Sequence, residues 1–311
     1  MSGCIEQEHG VCKFCGGDGY LTQPGAEAAQ AVLCDHVLTC SECHGSGYRA
    51  ARDRDGYDVM RPCELMGVKR RIQLYNLAGI PARYHAATFG AFQHRQSDKG
   101  DSNQHEVRTR WFDAWTHRIA STVHPNGKLP QRTRGIGLQG VPGVGKTHLL
   151  TALARFLTLE QGVPVRYREF SHLLWDLKAG YQAGHGEDQI IAPLVSVEVL
   201  LIDELGQGRA NEWEIGILDA IVGARYNQGL TTFFATNYWL QAPDLARFGG
   251  ATALKDSGLP VETLSDRVSP RIFSRLAEMC DFVELRGPDS RTLPPKAPAA
   301  HRSAKIGKVS P

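Results

Sequence analysis

Apolar residues recur along this chain with two periods, and their alternation lays out helices and strands in turn. Leu149, Leu150, Leu153, Phe156 and Leu157 are spaced to cover one face of a helix. So are Phe170, Leu173, Leu174 and Leu177, and again Trp213, Ile217, Leu218, Ile221 and Val222, with Arg225 and Tyr226 at the end. Between these stand apolar runs of strand length: Ile136 with Leu138, Val163 to Tyr167, Val197 to Glu204, and Leu230 to Asn237. A last run, Asp281 to Leu285, closes the series. The unbroken Val199-Leu200-Leu201-Ile202 reads as a strand buried on both faces, the mark of a parallel sheet covered by helices. An α/β fold is expected.

Upstream the pattern is less regular. Val68, Ile72, Leu74, Tyr75 and Leu77, interleaved with Lys69, Arg70 and Arg71, predict a basic amphipathic helix ended by Gly79 and Pro81. It reads either as a solvated connector or as a contact for a partner or DNA. Trp111, Phe112, Trp115 and Ile119 predict a helix packed on the domain that follows. Gln93 to Gln104 is polar and reads as an exposed loop, and Gln23 to Gln30 carries no core signal. The expected division is a metal-binding module over 1–67, a basic helix and linker over 68–130, a catalytic domain over 131–288 and a basic tail over 289–311.

Three stretches carry candidate chemistry. Gly140-Val141-Pro142-Gly143-Val144-Gly145-Lys146-Thr147 fills every position of the phosphate-binding loop pattern GxxxxGK[ST]. A strand before it and a helix after it supply the context that makes the pattern mechanistic. Glycines let successive N–H groups converge on an anion, and the helix dipole adds to that field. Lys146 would reach the β- and γ-phosphates of ATP and the Thr147 hydroxyl would ligate Mg²⁺, with His148 next in the binding stretch. At the end of the buried run, Asp203 fits a ligand of the Mg²⁺ shell and Glu204 the base that activates water. Asn237, after Thr236, offers an amide to the lytic water or the γ-phosphate, or simply ends a strand.

The eight cysteines change the picture of the amino-terminal end, since all but Cys280 lie at or before Cys63. Cys12-Lys13-Phe14-Cys15-Gly16-Gly17-Asp18-Gly19-Tyr20 and Cys40-Ser41-Glu42-Cys43-His44-Gly45-Ser46-Gly47-Tyr48 both read CxxCxGxGY. Together Cys12, Cys15, Cys40 and Cys43 supply the four thiolates of a closed zinc site. A dithiol redox pair is the rival reading. Cys4, Cys34 and Cys63 read as plain thiols; alternatively Cys63 replaces a ligand, or joins Cys34 and a histidine such as His36 in a second site. The net charge of +2 points to no particular partner, and the chain has no run long enough to span a bilayer and no signal segment at its start. A cytoplasmic protein is expected.

The zinc repeats are similar to those of DnaJ-type chaperones over this short region only. The order of the zinc module, Gly79-Ile80-Pro81-Ala82-Arg83-Tyr84, the phosphate loop, Asp203-Glu204 and Thr236-Asn237 resembles that of DnaC-type helicase loaders and IstB-type transposition ATPases, both AAA+ proteins. The resemblance spans roughly residues 60 to 291. It implies a P-loop sheet in which Asn237 is the sensor, on a strand between the two that carry the phosphate loop and the acids. It also implies a trans arginine finger at Arg271 or Arg275, in Arg271-Ile272-Phe273-Ser274-Arg275-Leu276, making the chain a homo-oligomer. Ser269 and Pro270 suit the start of that helix. Arg291 matches a second sensor. The residues after Asp289, basic and rich in Pro and Ala, are too few for a helical lid, which the loaders also lack. The implied activity is ATP hydrolysis that loads or remodels a replicative helicase on single-stranded DNA. The alternatives are an ATPase serving a transposase on duplex DNA and a zinc adaptor that uses ATP as a slow assembly switch.

Overall fold

Two antiparallel hairpins precede a five-stranded parallel sheet in this computed structural model, which describes residues 12–38, 43, 48–92, 102–184, 186–208, 210–241 and 262–291. The first hairpin pairs β1 (Tyr20–Pro24) with β2 (Ala29–Leu33), followed by the one-turn α1 (Asp35–Leu38). The second pairs β3 (Tyr48–Arg52) with β4 (Asp58–Pro62), and α2 (Glu64–Ala78) follows. A helical stretch then runs through α3 (Gln104–Glu106), a π-helical segment Val107–Asp113 and α4 (Ala114–Thr122).

From residue 135 the chain passes through strands and helices much as the apolar pattern predicts. It runs β5 (Gly135–Gln139), α5 (Lys146–Arg155), β6 (Val165–Glu169), α6 (Phe170–Gln182), α7 (Glu187–Ser196), β7 (Val199–Asp203), α8 (Glu212–Gln228) and β8 (Thr231–Thr236). The series closes with α9 (Leu264–Val268), α10 (Pro270–Met279) and β9 (Cys280–Glu284). The strand order is β6-β7-β8-β5-β9, so β8 lies between the strand that leads into the phosphate loop and the strand that ends in the acids. That is the place the resemblance implied for the strand before Asn237.

Two cores cover the two faces of the sheet. Alternate residues Val199, Leu201, Phe233 and Ala235 face one core, and Leu200, Ile202 and Phe234 face the other. The period of two is what a strand buried on both sides requires. The first core corrects three sequence expectations. Val68, Tyr75 and Ala78 of α2 are fully buried in it, so that this helix is not a solvated connector. Ala29, from the stretch read as lacking a core signal, is buried there too, as is Ala31 just after it; Asn76 accepts from the Ala31 N–H at 2.6 Å and Ile80 C=O from the Ala29 N–H at 2.7 Å. Gln104, read into an exposed loop, is 1% exposed. Residues 93–101 lie outside the described ones, as does the tail from residue 292. Among the described residues no helix is long and apolar enough to cross a membrane.

Beneath the second core one cation ties three elements together. Arg225 is fully buried and donates to the carbonyls of Leu194 (2.8 Å), Val197 (2.7 Å), Thr231 (2.5 Å) and Glu198 (3.3 Å), and to the Thr232 hydroxyl (3.0 Å). Burial pushes its pKa down to about 9, a charge tolerated only because those dipoles surround it. Arg225→Met should therefore lower stability by roughly 3 kcal/mol, since several buried carbonyls lose their donor. A urea unfolding midpoint equal to the parent's would contradict this.

Candidate functional site

The carboxyl ends of β5, β7 and β8 meet at one edge of the sheet, and the candidate chemistry gathers there. Gly143 (φ 79°) and Gly145 (φ 108°) adopt left-handed backbone, which turns the loop tightly enough to enter α5 at Lys146. Gly140 N–H donates to Thr236 C=O at 3.2 Å, anchoring the loop to the end of β8. Lys146 is 8% exposed; its Nζ donates to Gly140 C=O (2.6 Å), Val141 C=O (3.0 Å) and Asn237 Oδ1 (2.7 Å). Burial lowers its pKa to about 8, against the opposing pull of Asp203 and Glu204.

Asp203 is the hub of the acidic end. Its Oδ2 accepts from the Thr147 hydroxyl (2.6 Å) and the Tyr167 hydroxyl (2.7 Å), and its Oδ1 from the Glu204 N–H (3.0 Å). A hydroxyl and a carboxylate held together in this way fit the shell of Mg²⁺, a hard cation that takes oxygen ligands. Glu204 has φ 53°, a left-handed conformation unusual outside glycine, which turns its side chain from the strand into the cleft. Burial, then Glu169, then Asp203 raise its pKa, and a raised pKa makes the carboxylate the stronger base.

These groups line a cleft of about 400 Å³ that also takes in Pro142, His148, Ser290 and Arg291. His148 donates from Nε2 to Thr88 C=O (2.9 Å), lies 5.5 Å from the Phe92 ring, and is held below its usual pKa by burial. Asp289 packs against Gly143, and the Ser290 N–H donates to Gly143 C=O at 3.0 Å, which brings the segment after β9 onto the loop. The cleft thus contains Gly143, Gly145, Lys146, Thr147, His148, Asp203, Glu204, Asn237 and Arg291 together. Val141 and Val144 complete the loop, Val144 C=O accepting from Gln104 Nε2 at 2.9 Å.

Several contributors went unread in the sequence. Arg83, Tyr84 and Phe92 line the far end of the cleft, Gln104 braces the loop, and Tyr167 completes the shell of Asp203. The Gly79–Tyr84 segment was the available signal for the first two. Arg267 donates to Gly206 C=O (3.2 Å) and Gly208 C=O (2.5 Å) and stacks on Tyr238 at 5.1 Å, holding the loop that follows Glu204.

Arg271 and Arg275 lie away from this cleft. Arg275 donates to Asp219 Oδ1 at 2.8 Å with its side chain 21% exposed, whereas Arg271 is 3.8 Å from the same carboxylate and 71% exposed. The helix does begin at Pro270, but Ser269 does not cap it: its backbone is left-handed (φ 83°) and its hydroxyl makes no cap bond.

In the amino-terminal module the sulfurs of Cys12, Cys15 and Cys34 lie within 4.8 Å of one another. Cys12 and Cys34 are 3.7 Å apart, far beyond a disulfide bond. The backbone N–H groups of Cys15 and Phe14 hold the Cys12 thiol below its usual pKa. Cys43 and Cys63 are buried in the same small core without joining that group of three, and Cys40 lies outside the described residues. Among the described residues Cys34 completes the group with Cys12 and Cys15, because the β1–β2 hairpin returns the chain to its own start, and Cys43 and Cys63 pack in the same small core.

A phosphate loop entering a helix, an acidic strand end two strands away and a parallel sheet of this order define a P-loop nucleotide-binding domain. Residues 129–246 match the family described as IstB-like ATP binding protein. Curated relatives of the chain include the replicative helicase loader DnaC of Escherichia coli (strain K12), 31% identical over 52% of this chain and 60% of the loader. Another is the uncharacterized protein YqaM of Bacillus subtilis (strain 168), 28% identical over 57% of this chain and 54% of that protein. The chain thus spans little more than half the length of these two relatives. A crystal structure of DnaI aligns with a TM-score of 0.48 at 20% identity, covering 70% of this chain and 98% of that one.

The titration of Lys146 gives a pH signature. Anionic phosphates favour its protonated form, so ATP affinity should be level below about pH 8 and weaken above it, approaching about tenfold per pH unit. Binding near pH 9 should take up a proton, measured calorimetrically in buffers of different ionisation enthalpy. Affinity that is constant from pH 7 to pH 9.5 would contradict the assignment.

Proposed function

We propose that this chain hydrolyses ATP and uses the cycle to load or remodel a replicative DNA helicase on single-stranded DNA. The observation that carries the ATPase half is the juxtaposition of Lys146, Thr147, Asp203, Glu204 and Asn237 in one cleft. The likeness to a protein named as a replicative helicase loader supports the second half. Its match to an IstB-like family supports the other reading, an ATPase serving a transposase on duplex DNA. A turnover stimulated by single-stranded but not duplex DNA favours the loader, and the reverse favours the transposase partner.

The chemistry follows from the groups present. Glu204 takes a proton from the attacking water as its oxygen bonds to the γ-phosphorus, and the bond to the bridging oxygen breaks to leave ADP. Asn237, already within hydrogen-bond distance of Lys146, orients the water or the γ-phosphate. Lys146 must release some of its present acceptors to meet the phosphates. Thr147 and Asp203 would hold Mg²⁺, whose charge offsets that of the β- and γ-phosphates when bound. Lys146→Ala should cut turnover by about 10²-fold or more, and Glu204→Gln should keep ATP binding while losing hydrolysis.

Of the two arginines, Arg271 suits a finger offered to a second copy of the chain, because Arg275 is already neutralised by Asp219. Arg271→Ala should retain ATP binding and lose about 10³-fold or more in rate. Mixed with Lys146→Ala chains it should regain phosphate release, since each chain supplies the half-site the other lacks. Full activity of Arg271→Ala alone, or no recovery in a mixture of variants that demonstrably associate, would sink the shared site.

A further inference from the structure

The first cysteine unit and the nucleotide cleft share a wall. Arg83 and Tyr84, which line the cleft, belong to a single 3-10 turn, Ala82–Tyr84, with the Arg83 guanidinium 4.9 Å from the Tyr84 ring. That turn packs against both strands of the β1–β2 hairpin. Ile80 C=O accepts from the Ala29 N–H at 2.7 Å, so the chain entering the turn is bonded to the first residue of β2. Asn76 of α2 meets both backbone groups of Ala31: its Oδ1 accepts from the N–H (2.6 Å) and its Nδ2 donates to the C=O (3.1 Å). The amide thereby covers the open edge of β2 as a third strand would. Tyr75, fully buried, donates its hydroxyl to His85 C=O at 3.3 Å and holds the end of the turn.

Sulfur holds the same hairpin where its strands open. Tyr20 pairs with Leu33 there, Gly19 N–H donates to Cys15 Sγ (3.4 Å), and Cys34 N–H donates to Gly19 C=O (3.0 Å). The 3.7 Å between the Cys12 and Cys34 sulfurs matches the spacing of about 3.8 Å for two ligands at the zinc–sulfur bond length of about 2.3 Å around a tetrahedral ion. A two-stranded hairpin is marginal by itself in water, and of the strand residues here only Tyr20, Ala29 and Ala31 are buried. Its order therefore depends on two attachments, the three thiols at one end and Asn76 with Ile80 along one edge.

We infer that a zinc ion on Cys12, Cys15 and Cys34 fixes the hairpin and, through Asn76 and Ile80, the turn that presents Arg83 and Tyr84, so that zinc and ATP bind cooperatively. Asn76 is then a positioning residue of the nucleotide site, acting through β2. Such coupling is reciprocal: the factor by which zinc raises ATP affinity is the factor by which ATP raises zinc affinity. None of the hydrogen bonds that join Lys146, Thr147, Asp203, Glu204 and Asn237 passes through this turn, so the effect falls on nucleotide affinity and not on the chemical step. The inference rests on the three thiols as zinc ligands and on the cleft as the ATP site.

The test takes the full chain under reducing conditions and measures its affinity for a fluorescent ATP analogue with zinc bound, after chelation, and after zinc is restored. Affinity should fall about tenfold without zinc and recover with it. Conversely, the analogue should raise the chelator concentration needed to strip the zinc. Asn76→Ala should keep its zinc, bind the analogue more weakly, and show no further loss on chelation. Its KM for ATP should rise with kcat unchanged, a split that a general loss of structure does not give. If this variant fails to fold, the two reciprocal measurements on the unaltered chain decide. Zinc and analogue that each bind with no effect on the other would overturn the coupling while leaving both sites in place. A chain that binds the analogue but no zinc would overturn the zinc site and the coupling with it, and one that binds zinc but no analogue would overturn the ATP site instead.

Discussion

The carboxylate of Asp203 is the interaction on which the rest of the site depends. It is 2% exposed, and the cost of burying it is offset by hydroxyls from Thr147 and Tyr167 and the N–H of Glu204, all of which donate to it. Those donors come from α5, β6 and the turn after β7, so one group sets the relation of the phosphate loop to the acidic edge. Parallel register makes this possible: β6 pairs with β7 so that Glu169 stands opposite Asp203, and β8 brings Thr236 beside Gln139. Three strand ends thereby reach one level, and the side chains beyond them share one cleft.

Around that hub the protein braces the loop from several directions. Gln104 holds Val144, Asp289 and Ser290 cover Gly143, and Arg267 grips the turn beyond Glu204. The amino-terminal portion belongs to the same construction. β2 is bonded to Asn76 and Ile80, and four residues later Tyr84 lines the cleft beside Arg83. A short stretch of chain thus joins the first cysteine unit to the nucleotide site.

The parts legible in the sequence were those whose meaning is local. The phosphate loop, the acids after Ile202 and the amide after Thr236 are contiguous patterns attached to periodic elements, and the strand order put them together as expected. Roles made by distant contacts stayed hidden. Tyr167 and Asp203 are separated by 36 residues, Gln104 and Val144 by 40, and Arg267 and Gly206 by 61. Cys34 was weighed for a second site rather than beside Cys12 and Cys15 for a related reason, since only the hairpin reveals that the chain turns back to Cys12. Nor does spacing alone rank Arg271 and Arg275, which share a helix face; the ion pair with Asp219 separates them.

A structure of the chain with a non-hydrolysable ATP analogue and Mg²⁺ tests the central claim most directly. The account predicts phosphates cradled by the loop from Gly140 to Thr147, Lys146 Nζ moved from the Gly140 and Val141 carbonyls to the β- and γ-phosphates, and Mg²⁺ on the Thr147 hydroxyl beside Asp203. Nucleotide bound elsewhere, or Lys146 still bonded to those carbonyls with the analogue in the cleft, would contradict it.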